Sequence, residues 1–217
     1  SEYKIYIIPD ANKMTEQAQN ALLKTIEEPP VYAIIILLTE NCDSLLPTIR
    51  SRCVTLTMNP IEKDKICTYL ENKFQLEPEQ AQIAANYCQG NIGKAIRFAS
   101  SSDFIEMKNQ VLKLLKNLDS MDIASIIDTI KEFSTHKNDI NDYLDLMLLW
   151  YRDVLMFKVT KDANLLLYSD EYSAISEQAT KRDYENIENI IAAIDKAKVR
   201  LKANVNFDVT IELMILA

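Results

Sequence analysis

The sequence predicts a short α/β segment followed by a long all-helical region, and three observations predict it. Two apolar, β-branched runs near the start flank a helical pattern. Beyond Pro60 the strand signals stop, and apolar residues recur at three- and four-residue spacing. Only two glycines occur among the 217 residues, where ordinary usage would give roughly 15. So few cannot supply the tight turns of a β-rich fold, nor a glycine-rich phosphate loop.

Each element has its own signal. Residues 4–9, Lys-Ile-Tyr-Ile-Ile-Pro, read as a buried strand that ends at Asp10. Ala18, Ala21, Leu22, Thr25 and Ile26 then fall on one helical stripe, and Pro29-Pro30 stops it. Residues 31–38, Val-Tyr-Ala-Ile-Ile-Ile-Leu-Leu, are apolar on both faces, as in a parallel strand covered by helices. Pro47 suits the first position of a short helix, and residues 53–57, Cys-Val-Thr-Leu-Thr, read as a third strand. This alternation is an α/β pattern.

Helices follow. Ile66, Tyr69, Leu70 and Phe74 make one stripe; a second helix runs from Pro78 to Gly90, and a third begins after Asn91. Gly90 and Gly93 are expected to mark special backbone positions, and Ser100-Ser101-Ser102 a boundary. Longer stripes come next: Phe104 to Leu118, Ile123 to Phe133, Ile140 to Leu155, Ile187 to Leu201, and a last helix over 207–216. They predict a helical bundle.

Composition excludes several classes of function. With 24 Lys+Arg against 32 Asp+Glu, the formal net charge is −8, so a broad basic face for nucleic acid is not expected. No apolar run reaches the ~18 residues of a membrane span. Cys42, Cys53, Cys67 and Cys88 form no CxxC pair and His136 is the only histidine, so no zinc site is expected from these residues. The start, Ser-Glu-Tyr-Lys-Ile, lacks a signal peptide's basic and apolar regions. With no cysteine framework either, a reducing cytoplasm is the expected compartment. The absence of an initiator Met and the immediate strand suggest the back part of a longer protein.

The chemistry-bearing residues cluster early. Asp10 ends one strand, Thr39 ends the next with Asn41 close behind, and Ser51-Arg52-Cys53 follows. In a P-loop ATPase a strand-tip carboxylate holds magnesium, a following Glu polarises the attacking water, and a polar residue on the neighbouring strand can sense the γ-phosphate. Here Ala11 follows Asp10, and a methyl group accepts no proton.

These segments resemble a known family. Pro9-Asp10-Ala11-Asn12-Lys13-Met14-Thr15, the run Asn20-Ala21-Leu22-Leu23-Lys24-Thr25-Ile26-Glu27-Glu28-Pro29-Pro30, and Leu45-Leu46-Pro47-Thr48-Ile49-Arg50-Ser51-Arg52-Cys53 look like bacterial clamp-loader subunits of the DNA polymerase III holoenzyme, most of all the delta-prime branch. The motifs span residues 1–100; beyond them the likeness rests on helical layout and Asn204-Val205-Asn206. It implies the back of an AAA+ core over 1–58, a helical lid over 59–101 and a helical collar over 102–217 that joins subunits into a ring. The Walker A loop and zinc-binding module of such proteins lie upstream.

The resemblance also assigns roles. Arg52 would be an arginine finger reaching a neighbouring subunit's ATP, with Arg50, on another face, as its rival. Gly93 stands where the ATPase subunits carry a nucleotide-contacting arginine. With Ala11 and Gly93 two catalytic parts are gone, which implies a subunit that does not hydrolyse ATP. Asp10, Ala11, Thr39 and Gly93 would then be vestiges. No cofactor or metal is expected within these residues; ATP and magnesium would sit on the neighbour. The implied partners are tau/gamma and delta subunits, the sliding clamp and primer-template DNA, with no membrane. The alternatives are an ATP-hydrolysing tau/gamma-type subunit and a helical scaffold with an idle AAA+ core.

Other residues read more simply. Cys53 is expected to be a buried small hydrophobe and His136 a solvated loop residue. Glu27-Glu28 mark a helix end. Lys196, Lys198, Arg200 and Lys202 alternate around a helix as a solvated face.

Overall fold

The computed structural model describes residues 2–100, 103–118, 121–137 and 139–216. The chain divides into two compact units, Ser1–Asn59 and Pro60–Ala217.

In the first unit, β1 (Lys4–Ile8) and β2 (Ala33–Leu37) pair in parallel, with Lys4 opposite Ala33 and Ile8 opposite Leu37. Parallel strands need a crossover, supplied by α1 (Glu16–Glu27). Thr15 caps α1 by accepting the N–H of Ala18. A short 3-10 turn over Cys42–Ser44 leads into α2 (Pro47–Arg50), with Pro47 at its first position. The core here is small: Ala11, Leu45 and Ile49, with Gln19.

Three expectations fail in this unit. Residues 53–57 form no strand: the sheet consists of β1 and β2, and Val54 and Leu56 are 88% and 82% exposed. A strand is defined by its ladder, and this segment has no partner. The parallel strands are not covered on both faces, since Ile5, Tyr6, Ile7, Ile34 and Ile36 are exposed. The face α1 turns inward includes buried Gln19 with half-buried Leu22, Leu23 and Ile26, while Ala18, Ala21 and Thr25 are exposed.

The second unit is helical: α3 (Lys63–Phe74), α4 (Pro78–Tyr87), α5 (Ile92–Ser100), α6 (Asp103–Asn117), α7 (Ile123–Thr135), α8 (Ile140–Thr160), α9 (Tyr172–Lys181), α10 (Tyr184–Lys202) and α11 (Phe207–Ile215). One hydrophobic core runs through it from Ile66 to Met214. The centre is α8. Its periodicity suggested one apolar stripe, but Tyr143, Leu146, Trp150, Val154 and Phe157 are buried as well as Leu144, Met147 and Tyr151, so helices pack on most of its sides.

Three buried polar side chains in this core, Trp150, Gln178 and Asp153, find partners, as desolvation favours. Trp150 Nε1 donates to Gln178 Oε1 at 3.0 Å, and Gln178 Nε2 donates to the Leu115 carbonyl at 2.8 Å. Asp153, fully buried, accepts the backbone N–H groups of Leu167 (2.7 Å) and Tyr168 (2.9 Å). Burial nonetheless pushes its carboxyl above the usual range, with the two N–H groups and Arg152 opposing.

The two glycines differ. Gly90 has φ +79°, and a Cβ there would stand 2.5 Å from Pro60 Cβ, so glycine is required. Gly93 has no left-handed φ, and its nearest obstacle is the Asn91 side chain at 3.3 Å. Its backbone is ordinary, contrary to expectation. The boundary expected at Ser100-Ser101-Ser102 falls largely outside the described residues.

Candidate functional site

The candidate residues of the first unit lie at its two ends. Ile8 and Leu37 are register partners, so Asp10 and Thr39 follow the C-terminal tips of neighbouring strands. Ala11 N–H donates to the Leu38 carbonyl at 2.8 Å, and Ala11 is completely buried. Asp10 adopts a left-handed conformation (φ 50°) and pairs with Lys13 at 3.1 Å in an exposed ion pair. The Thr39 hydroxyl donates to the Asn41 carbonyl (2.8 Å) and accepts the Asn41 N–H (3.1 Å), while Asn41 Oδ1 accepts the N–H of Asp43. Asp10, Thr39 and Asn41 therefore each have a local partner, whereas the buried Oδ1 of Asn12 in the same turn accepts no hydrogen bond within the chain.

Arg52 stands elsewhere. Its Nη2 lies 2.8 Å from Glu27 Oε1, and its Nη1 donates to the Thr48 carbonyl at 2.9 Å. Glu27 ends α1, the helix that leaves the strand tips near Asp10 and runs back to the start of β2. Its twelve residues span about 18 Å at 1.5 Å per residue. Arg52 and Asp10 consequently belong to opposite ends of the unit. Arg50, two residues earlier, points to a different partner, Asp43, at 2.8 Å.

Gln19 anchors this segment. It is 3% exposed; its Oε1 accepts the Leu46 N–H at 2.8 Å, and its Nε2 donates to the carbonyls of Met14 (3.2 Å) and Ser44 (3.5 Å). Sequence reasoning missed both Gln19 and Glu27. A polar residue within the helical stripe was the available signal for Gln19; no local pattern links Glu27 to a residue 25 positions on.

In the second unit, Gly93 lies in the first turn of α5, where Asn91 Oδ1 accepts the Lys94 N–H at 3.0 Å. Lys94 joins an ion cluster with Asp142 (3.2 Å) and Asp145, to which Arg97 and Lys198 also belong; Lys198 Nζ is 2.5 Å from Asp145 Oδ1. Burial works against the charged form of Asp145, but hydrogen bonds from Lys198 and Lys94 outweigh it and hold the carboxyl below its usual value. Lys94 is raised despite burial, by Asp145 and Asp142. Lys198 is therefore part of this cluster and not of a solvated basic face. Lys196 and Lys202 are exposed and Arg200 half-buried.

Two further expectations are corrected. Cys53 is exposed, because the strand meant to bury it does not form. His136 caps the end of α7 and is half-buried, its ring 5.5 Å from that of Tyr143. Among the described residues no three His, Cys, Asp or Glu side chains converge as a metal site, and no helix is long and apolar enough to cross a membrane.

Comparison with known proteins supplies the family. Residues 1–62 match the model described as "DNA polymerase III, delta subunit". The chain is 33% identical to DNA polymerase III subunit delta' of Bacillus subtilis, over 100% of this chain and 66% of that protein. It belongs to the DNA polymerase III clamp-loader subunits. Subunit tau of Bacillus subtilis is 27% identical over 72% of the chain and 31% of its own length. A gamma subunit-related protein of Thermotoga maritima aligns with 99% of this chain and 71% of its own, at 21% identity and a TM-score of 0.47. The chain spans about two thirds of the delta' relative and a third of the tau relative. Membership gives the N-terminal motifs a shared origin, and it covers relatives of both the delta' and the tau/gamma kinds.

Proposed function

We propose that this clamp-loader subunit hydrolyses no ATP itself and donates Arg52, in trans, to the ATP site of a neighbouring subunit. One observation carries the reading: Arg52 is fixed at the far end of α1 from Asp10. A guanidinium so placed cannot serve a phosphate bound at its own strand tips, but it can serve one held by a neighbour. There it would neutralise charge developing on the transferred phosphoryl group, an effect worth about 10³–10⁵ in rate in other trans-acting arginines. Arg50 and Arg52 each pair with a carboxylate at 2.8 Å, and it is the Ser51-Arg52-Cys53 motif that favours Arg52 over Arg50.

The missing base supports the same reading. Ala11 presents a buried methyl after Asp10, and Asp10 is paired with Lys13. ATP and magnesium then belong to the neighbour, of tau/gamma type, with delta as the further partner. The sliding clamp and primer-template DNA would be met through the assembled ring, in the bacterial cytoplasm. Residues 1–58 would be the back of the AAA+ core, 59–101 the lid and 102–217 the collar; any zinc would belong to sequence upstream. An ATP-hydrolysing role is disfavoured by Ala11, and an idle scaffold by the retained Ser51-Arg52-Cys53.

The test is ATP turnover by the full-length protein alone and by the loader assembled with it. The reading expects none from the subunit alone, and a large loss in the loader carrying Arg52→Ala. Turnover by the purified subunit, or full loader activity with the variant, would refute it.

A further inference from the structure

We infer that Glu27 is a holding counter-ion for Arg52, which keeps the guanidinium parked until a neighbour's phosphate displaces it. The inference rests on the finger reading and names the group that regulates it. Both terminal nitrogens of Arg52 are engaged inside the chain, Nη2 with Glu27 Oε1 and Nη1 with the Thr48 carbonyl. Two-pronged recognition of phosphate uses parallel N–H groups of the same guanidinium. Glu27 and Thr48 thus occupy two of the five N–H donors of Arg52, and the Glu27 carboxylate offsets the charge that a phosphate would meet.

The arrangement is built for exchange. The pair is solvated, with Arg52 39% and Glu27 46% exposed, so water screens it and it is individually weak. A polyphosphate carries more charge than one carboxylate and outcompetes it. Its position, by contrast, is firm. Glu27 closes α1, and Gln19, two turns earlier on the same helix, grips the backbone of Ser44 and Leu46 just before α2. Helix and arginine segment are thus tied together, and Glu27 meets Arg52 without a search. Arg50 has its own counter-ion in Asp43, so the two arginines do not compete for Glu27.

Removing the carboxylate should free Arg52 and speed the neighbour's hydrolysis. The test uses the loader assembled with the full-length protein, the sliding clamp and primer-template DNA, and reads the single-turnover rate of ATP hydrolysis. Glu27→Gln is expected to raise that rate about 1.5- to 5-fold, the range an exposed ion pair can withhold. Glu27→Asp, one methylene shorter, should fall between the two. Arg52→Ala alone should be slow, and adding Glu27→Gln to it should change nothing, since a counter-ion with no arginine to hold has no role. Melting temperature and complex size should match wild type. A Glu27→Gln rate equal to or below wild type, or an equal rise in the Arg52→Ala background, would overturn the inference while leaving the finger intact. Full activity of Arg52→Ala would remove the finger and the latch together.

Discussion

Gln19 and Leu46 are joined by a 2.8 Å hydrogen bond from the Leu46 N–H to a side chain only 3% exposed. That bond, with the Gln19 amide's donation to Ser44, sets where the chain turns into α2 and so where Arg52 emerges. The placement of an exposed arginine is thereby decided by a buried amide 33 residues earlier.

Gln19→Ala should loosen that turn. It leaves the Leu46 N–H and the Met14 and Ser44 carbonyls without their partner, at about 1–3 kcal/mol for the buried groups orphaned. Hydrogen exchange at Leu46 is the direct readout and should accelerate markedly, while α1 amides change little. Unaltered Leu46 protection would show that the turn is held by something else.

The extended segment after Cys53 should exchange fast in this chain. Val54, Leu56 and Met58 are 82–92% exposed, and no ladder protects their amides. Exchange within seconds is expected at 54–58, against strong protection at Leu144 to Val154 in α8. Protection of 54–58 comparable to β2 would mean that a strand forms there after all.

The glycines should part company. Gly90→Ala forces a Cβ against Pro60 at 2.5 Å with φ +79°, and should cost more than about 1 kcal/mol. Gly93→Ala meets only Asn91 Oδ1 at 3.3 Å, an atom that accepts the Lys94 N–H and need give by only a few tenths of an ångström, and it gains helix propensity, so its net effect should stay within about 1 kcal/mol. Urea denaturation of the two variants distinguishes them; equal losses would contradict the backbone assignment.

Acid should act on two carboxyls in opposite senses. Asp145 is held below the ordinary carboxyl value of 3.8 in the folded state, so its stabilisation is complete above that pH and is lost as pH falls through the lowered value. Asp153 is raised above 3.8, so its contribution is present below that pH and is lost as pH rises through the raised value. Asp145→Asn should therefore reduce the fall in melting temperature below pH 4, and Asp153→Asn should reduce the change just above it. Identical pH profiles for wild type and both variants would rule this out.

Much of this was legible in the sequence, and the reasons for the rest are physical. The helices were readable because Pro29, Pro47, Pro78 and the apolar stripes are local signals. The third strand was misread because Cys53 to Thr57 has strand composition, yet pairing is a property of neighbours and not of composition. In α8 a stripe such as Leu144, Met147 and Tyr151 cannot reveal that Trp150 and Val154 are buried on other faces. At the candidate site, Arg52 was found through its motif. Its tie to Glu27, the grip of Gln19 and the capture of Lys198 by Asp145 are long-range contacts that spacing does not encode.

The central claim is that Arg52 serves a neighbour's ATP. Its most direct test is Arg52→Lys in the full-length protein, with ATP turnover and complex size measured on the assembled loader. Lysine keeps the charge but loses the planar fork. The account predicts an intact complex whose hydrolysis falls by at least tenfold. An intact complex with wild-type turnover would contradict it.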